Sequence, residues 1–375
     1  MNDKKINISC ISVGFGGLEL NTLKLALWLK EYGWKVSMLL LEGSQMHKVA
    51  NDYCDDIQTI TGGRFMKLKK ISAIKNWLKK DEQQLFFTAL SKDIPAASFY
   101  KRFINKKLKI VYQQQMKVGV NKRDFIHTLR YNMVDIWISP LQYLKEETLL
   151  MTRVNEEKIK VIPLCIEADK FLNNPLTKNE ARKILQLNEN AKIIGVIGRL
   201  DPEKGQDFLI KCIHRLKNDY GLNYELLIMG NKTIGLKDDY NDLLQSSIKE
   251  FHLENNIHFR PFNNDVTIFY KAVDVFAMAS KGEPFGMVTI EAMASGCPVI
   301  GTNKDGTKEI LKNGELGYLF NINDEDGFCK QLIAMAANPL LESILEEAKR
   351  VAQTTYSKEN LCKQLDELFI DLLDK

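Results

Sequence analysis

Short apolar runs alternate with amphipathic stretches along most of this chain, and that alternation confines it to parallel α/β architecture. Residues 6–13 read as a strand. Residues 21–32 place apolar side chains at helical spacing and stop at Gly33, a helix C-cap signal. Strand-like runs follow at 34–41, 85–90, 108–112 and 135–139. A second series begins later, with strands predicted at 192–197, 225–229, 257–259, 273–279 and 298–301. Helical patterns lie between them at 206–219, 240–251, 266–272 and 327–338, and the last, 358–373, is amphipathic. Residues 162–176 hold two prolines and little periodicity, which predicts a hinge. With 375 residues, the chain is expected to form two open α/β domains, 1–165 and 166–357, followed by a closing helix over 358–375. Ligands of such sheets bind beyond the carboxyl ends of the strands, so two of them are expected to face a shared cleft.

Composition narrows the class. Hydrophobic content of 45% and charged content of 27% suit a soluble globular protein. No apolar stretch approaches the ~18 residues that cross a bilayer. The first apolar run is short and polar-interrupted, so it reads as a strand rather than a signal peptide. Seven scattered cysteines without a Cys-x-x-Cys pair point to reduced thiols, a cytoplasmic setting and no metal site. Net charge is only +4, yet residues 1–165 hold 27 Lys/Arg against 16 Asp/Glu, and residues 166–375 hold 25 against 32. Residues 61–130 alone carry 17 basic against 4 acidic side chains. Such a half attracts an anionic partner, or is simply a solvated basic face. No nucleic-acid recognition motif accompanies it, and no nucleic-acid partner is expected.

Three loops carry the chemistry, each after a predicted strand. Glu283-Pro284-Phe285-Gly286-Met287-Val288-Thr289-Ile290-Glu291 sets two carboxylates eight residues apart across a helix start. Free N–H groups and the dipole at that start favour an anion, and the carboxylates suit hydroxyls. Gly198-Arg199-Leu200-Asp201-Pro202-Glu203-Lys204-Gly205 brings a guanidinium and an ammonium into one tight loop, a pairing that suits a diphosphate. It lacks the P-loop pattern. Val13-Gly14-Phe15-Gly16-Gly17-Leu18-Glu19 lets backbone approach a ligand closely, although Glu19 occupies the third glycine position of a dinucleotide fingerprint. Plain turn glycines are the other reading of that loop.

The order glycine loop, GRLDPEKG and EPFGMVTIEAMASGCPVI closely resembles family 4 of the retaining glycosyltransferases, which have the two-domain GT-B fold. The hinge phrase Val161-Ile-Pro-Leu-Cys-Ile-Glu-Ala-Asp-Lys-Phe171 and the closing helix extend the likeness over most of the chain. The resemblance implies that the last helix crosses back to the first domain. It implies a metal-independent transfer of a hexose-type sugar from a nucleoside-diphosphate sugar, with UDP in preference to GDP. The acceptor would be a hydroxyl of a glycan or glycolipid in surface polysaccharide or lipopolysaccharide synthesis. No cofactor beyond the donor is expected. By the same resemblance Arg199 and Lys204 would hold the donor diphosphate and offset charge on the leaving group. Glu283 would contact the donor sugar and Glu291 the ribose. Backbone at Phe285, Gly286, Met287 and Val288 would complete the phosphate cradle. Gly230 and Arg260 to Phe262 would lie near the base, and Gly16 and Gly17 would touch the donor from the first domain, with Glu19 on the acceptor side.

One departure stands out. Where the family often carries a His, this chain reads Val111-Tyr112-Gln113-Gln114-Gln115-Met116. Gln115 is assigned to that position on the acceptor side; an amide can bind a hydroxyl but cannot carry a proton. His127 and the four tryptophans are read as packing residues. The missing His keeps open a non-catalytic sugar-nucleotide-binding or regulatory protein on the same scaffold, against which the presence of both glutamates counts. A separate expectation is peripheral contact with an anionic membrane at the inner face, through Lys67, Lys69, Lys70, Lys75, Lys79 and Lys80 around Ile71, Ile74, Trp77 and Leu78. The competing reading is an ordinary helix packed on its sheet.

Overall fold

A computed structural model describes residues 4–62, 66–79, 85–232 and 239–374, the side chains of 66–69 excepted. Lys67, Lys69 and Lys80 of the proposed membrane segment therefore lie outside the described side chains. The chain divides into two compact units, Met1–Pro163 with Lys358–Lys375, and Leu164–Ser357.

The first unit is a seven-stranded parallel sheet in the order β3-β2-β1-β4-β5-β6-β7. Its strands are β1 (Lys5–Cys10), β2 (Lys35–Leu41), β3 (Asp56–Ile60), β4 (Leu85–Thr88), β5 (Lys109–Gln113), β6 (Ile136–Ser139) and β7 (Ile159–Val161). Pairing is in register, Ile6 beside Val36 and Ile8 beside Met38, and these four side chains are buried. Central strands of a parallel sheet are covered on both faces, which is why they read as continuous apolar runs. The helices used below are α1 (Gly17–Glu31), α2 (Met66–Leu78), α3 (Ile94–Phe103), α4 (Phe125–Tyr131) and α5 (Gln142–Met151). The closing helix, Lys358–Asp374, belongs to this unit. Asp366 accepts bonds from Lys4 Nζ at 2.7 Å and Trp34 Nε1 at 2.9 Å, and Phe369 packs edge-on against Trp34 and Phe87.

The second unit is a six-stranded parallel sheet in the order β10-β9-β8-β11-β12-β13. Its strands are β8 (Lys192–Ile197), β9 (Tyr224–Met229), β10 (Ile257–Arg260), β11 (Val275–Met278), β12 (Val299–Thr302) and β13 (Tyr318–Phe320). The helices that matter for the site are α6 (Gln206–Asn218), α7 (Thr267–Ala272), α8 (Met287–Ala294) and α9 (Asp305–Ile310). In both sheets the strand order reverses beside the unit's first strand, at β1/β4 and at β8/β11. That reversal is where an open α/β sheet leaves a crevice at its carboxyl edge.

Three edge strands, β3, β7 and β13, escape the sequence reading. They are short, and β3 and β7 mix polar residues with apolar ones and are only partly buried. Helix α3 is missed too, because Pro95 stands near its start, where a missing N–H costs nothing. Helix α2 settles the fate of the apolar side proposed for a membrane. Ile74 and Leu78 are fully buried, and Trp77 packs on Phe86 while donating to Ser37 Oγ at 2.8 Å. The helix is spent on its sheet. Lys70 is buried as well, paired at 2.5 Å with Asp93, which also accepts from Ser9 Oγ and the Ile11 N–H.

Candidate active site

The reversal in the second sheet is lined by the loops after β8 and β11, which carry the Arg–Lys and Glu-rich segments. After β8 the chain turns through Pro202–Lys204, with Asp201 capping the turn by accepting the Glu203 N–H at 3.0 Å. The loops are fastened to each other: the Lys281 N–H donates to the Glu203 carbonyl at 2.9 Å, and Lys204 Nζ lies 2.8 Å from Glu283 Oε2. The pair is partly exposed, with side chains at 28% and 17%. Arg199 points outward, its side chain 65% exposed and 3.7 Å from Asp201.

Gly286 is the N-cap of α8 at φ +102°, a conformation an L side chain rarely takes. A Cβ there would also stand 3.4 Å from Glu283 Cγ and Thr289 Oγ1. Helix α8 thus starts between the two glutamates, with the N–H groups of Met287 and Val288 in its first turn, where a helix leaves donors unpaired within itself. Phe285 is buried and sets the loop by an edge contact with Tyr356. Thr289 is fully buried and its Oγ1 has no hydrogen-bond partner, as is also true of Thr307 in α9. Helix α9 is locked beneath the loop by the Gly306 N–H, which donates to the Glu283 carbonyl at 3.0 Å.

Glu291 occupies the second turn of α8. Its Oε2 accepts from the Tyr270 hydroxyl of α7 at 2.9 Å, and the same hydroxyl lies 3.1 Å from the Val288 carbonyl. Tyr270 is almost wholly buried among Phe171, Phe269 and Phe276. Burial first, and the adjacent carboxylate second, hold its phenol well above the usual range, so it stays a donor.

Gly230 and Phe262 stand just past the ends of the neighbouring strands β9 and β10. The Gly230 N–H donates to the Arg260 carbonyl at 2.9 Å, and a Cβ on Gly230 would overlap the Gly198 carbonyl oxygen. Phe262 is 47% exposed, its N–H bound to Asn231 Oδ1 at 3.1 Å. Arg260 closes β10, and its guanidinium is committed to the carbonyls of Leu185, Phe259 and Gln186 at 2.6, 2.8 and 2.9 Å.

In the first unit, Gly16 caps α1 and Gly17 opens it. Glu19 closes the glycine loop on itself, taking the Ser12 hydroxyl at 2.6 Å on Oε1 and the Gly16 N–H at 2.9 Å on Oε2. Both carboxylate oxygens thus serve the loop's own shape. Gln115, just past β5, accepts from Asn21 Nδ2 and donates to Gln113 Oε1, both at 3.3 Å. The Nε2 of buried Gln113 lacks a partner. Gln114 is structural, holding Trp137 and Thr148 on its Oε1. His127 pairs with Asp124 at 2.5 Å, and all four tryptophans are buried. Sequence reasoning gave no role to Tyr270, Thr289 or Thr307. The glutamates signal themselves by motif, whereas these three acquire meaning only from a partner, or the lack of one, in three dimensions.

Comparison with known proteins bears on the loops of the second unit. Residues 177–358 match the family described as glycosyl transferases group 1, which covers the segment holding Arg199, Lys204, Glu283 and Glu291. Along nearly its whole length the chain is 24% identical to an uncharacterised glycosyltransferase of Haemophilus influenzae, over 96% of this chain and 98% of that one. It is also 24% identical to the UDP-Gal:alpha-D-GlcNAc-diphosphoundecaprenol alpha-1,3-galactosyltransferase of Escherichia coli, over 61% of this chain but only 58% of the other. The crystal structure of Anabaena Alr3699/HepE in complex with UDP superposes with a TM-score of 0.84 at 19% identity, covering 98% of this chain and all of that one. The fold is therefore that of the GT-B glycosyltransferases. The chain contains a glycosyl transferases group 1 domain and is a transferase enzyme. Among the described residues no helix is long and apolar enough to cross a membrane.

Proposed function

We propose that this enzyme is a retaining family 4 glycosyltransferase that moves a hexose-type sugar from a UDP-sugar to a hydroxyl of a glycan or lipid-linked acceptor. The observation that carries the reading is the Lys204–Glu283 pair at 2.8 Å, which joins the loops after β8 and β11 beside the α8 start. One spot thus offers a cation for a diphosphate, free helix N–H groups for its oxygens, and a carboxylate for the sugar. Arg199, exposed at the rim, supplies a second cation. In this reading Lys204 exchanges Glu283 for the diphosphate when donor binds, and Glu283 is released toward the sugar. Glu291, braced by Tyr270, takes the ribose hydroxyls. Gly230 and Phe262 flank the base, and the close approach of Gly230 to Gly198 leaves no room for a side chain there.

Charge developing on the leaving diphosphate is offset by Arg199, Lys204 and the α8 start, so the mechanism we favour needs no metal or other cofactor. The acceptor falls to the first unit, where Gln115 offers an amide to a hydroxyl, Gly16 and Gly17 expose backbone, and Glu19 acts by shaping the glycine loop. A donor phosphate oxygen then takes the acceptor proton, which suits a site with glutamine where a His is usual. UDP is favoured because HepE was crystallised with UDP and the Escherichia coli relative is named for UDP-Gal. That relative's diphosphoundecaprenol substrate supports a lipid-linked acceptor, and the same reading puts the transfer in surface polysaccharide or lipopolysaccharide synthesis at the inner face of the membrane.

Calorimetric titration with UDP, GDP and uridine tests the reading. UDP is expected to bind well, GDP less well and uridine poorly, and Lys204→Ala to erase the advantage of UDP over uridine. Equal binding of UDP by Lys204→Ala and the parent would remove the diphosphate from this loop.

A further inference from the structure

Gln206, the first residue of α6, is fully buried. A buried amide is costly unless both of its ends are bonded, and here both are. Its Nε2 donates to the Arg199 carbonyl at 2.8 Å, and its Oε1 lies 3.1 Å from the Tyr240 hydroxyl. The carbonyl is acceptor-only, so the amide must turn its N–H end to Arg199 and its oxygen to Tyr240. Tyr240 stands on the helix Asp239–Glu250, which follows β9. Its hydroxyl also lies 3.0 Å from Asp207 Oδ1 and accepts the Asp207 N–H at 3.3 Å. Gly205, the N-cap of α6, has no side chain to offer, so the phenol supplies the missing cap. Burial first, and the Asp207 carboxylate second, push this phenol above the usual range, and it remains a donor.

Capping α6 needs only the bonds between Tyr240 and Asp207. The bond from Gln206 to Arg199 does something else: it closes the loop that carries both cations of the candidate site. The backbone on either side of Arg199 is held as well, since the Gly198 N–H donates to the Met229 carbonyl and the Leu200 N–H to the Asn231 carbonyl, both at 3.0 Å. The far end of the loop is fixed by Gly205, at φ +74°, where a Cβ would stand 2.3 Å from the Ala279 carbonyl oxygen. The Arg199 side chain nevertheless stays exposed, with Asp201 3.7 Å away. An exposed, weakly paired arginine takes its direction from its own backbone, and freedom removed in the free protein need not be removed on binding.

We propose that Gln206 is a positioning residue for Arg199, and that Tyr240 holds the Gln206 amide in that task. The guanidinium is thereby kept at the rim of the site and is partly ordered before the donor diphosphate arrives. The inference rests on the donor-site reading above and adds to it two residues that act through Arg199.

Calorimetric titration with UDP and with uridine tests it, on the parent, Gln206→Met, Tyr240→Phe, Arg199→Ala and the double variant Gln206→Met with Arg199→Ala. Gln206→Met roughly conserves the buried volume and removes both amide ends. It is expected to weaken UDP about fivefold, within the range of one net hydrogen bond, and to leave uridine unchanged. Tyr240→Phe should act in the same direction and by less, since the amide keeps its bond to Arg199. On the Arg199→Ala background, Gln206→Met should weaken UDP by no more than about twofold, the limit of simple additivity. A merely structural role would add its full loss there and would weaken uridine as well. Equal UDP binding by Gln206→Met and the parent overturns the inference, and so does full additivity with Arg199→Ala. Should Gln206→Met fail to fold, Tyr240→Phe combined with Arg199→Ala carries the same comparison. If Arg199→Ala binds UDP as the parent does, or the parent binds none, the donor-site reading fails and this inference falls with it; if only Gln206→Met is silent, that reading stands.

Discussion

Tyr270→Phe isolates the brace on Glu291. The substitution removes one oxygen and leaves the ring among Phe171, Phe269 and Phe276, so no cavity opens. The lost bond is a 2.9 Å donation to a carboxylate. Hydrogen bonds to charged groups contribute about 1.5–3 kcal/mol net. Glu291 is only half-buried, so water recovers part of that, and the lower end applies. The carboxylate loses that donor and is held less firmly for the ligand. A loss of about 1.5 kcal/mol is about a tenfold rise in Kd. In the free protein a loss of about 1 kcal/mol should lower the melting temperature by about 2–4 °C. The assay is calorimetric titration of parent, Tyr270→Phe, Glu291→Ala and the double variant with UDP and with 2′,3′-dideoxy-UDP. UDP should weaken about tenfold in Tyr270→Phe, the dideoxy compound hardly at all, and the double variant should be no worse than Glu291→Ala. If Tyr270→Phe weakens both nucleotides equally, the tyrosine acts through the fold and the brace is wrong. If Glu291→Ala binds UDP as the parent does, the ribose assignment itself fails.

Other outcomes follow from the same geometry. Glu283→Gln should keep the fold, since its partly exposed pair with Lys204 contributes at most about 1 kcal/mol, yet lower transfer by ~10²–10³ as measured by UDP release with acceptor. Gly230→Ala should destabilise by more than about 3 kcal/mol, read by urea unfolding, because its Cβ would overlap the Gly198 carbonyl oxygen and neither backbone can yield cheaply. Burial raises the thiols of Cys54 and Cys362 to about 11 and that of Cys297 to about 12. Their stabilising effect is complete below the unfolded thiol pKa of about 8.5 and fades as pH rises toward those folded values, because only the unfolded chain releases its protons in that window. Melting temperature should therefore fall steadily from about pH 9 upward, and Cys297→Ala should flatten the fall; an unchanged slope would contradict it.

Much of the candidate site was legible because its residues declare themselves by type and spacing. Gly286 is required by a positive φ, Lys204 and Glu283 by the pairing of two loops, and each follows a strand that reads as an apolar run. The edge strands β3, β7 and β13 were not legible, since a short, half-covered strand need not be apolar throughout. Helix α2 shows the ambiguity of amphipathic pattern: a basic and an apolar side suit a bilayer as well as a sheet, and only the burial of Trp77 and Leu78 decides between them.

By itself, then, the sequence determined the two parallel α/β units and the loops that bear charge, because strand burial and turn geometry act over a few neighbouring residues. Tertiary structure alone decided the use of each polar group: Arg260 on three carbonyls, Glu19 on its own loop, Tyr270 on Glu291. Hydrogen bonds are directional and reach about 3 Å, and partners such as Tyr270 and Glu291, 21 positions apart in the chain, meet only after the strands have paired.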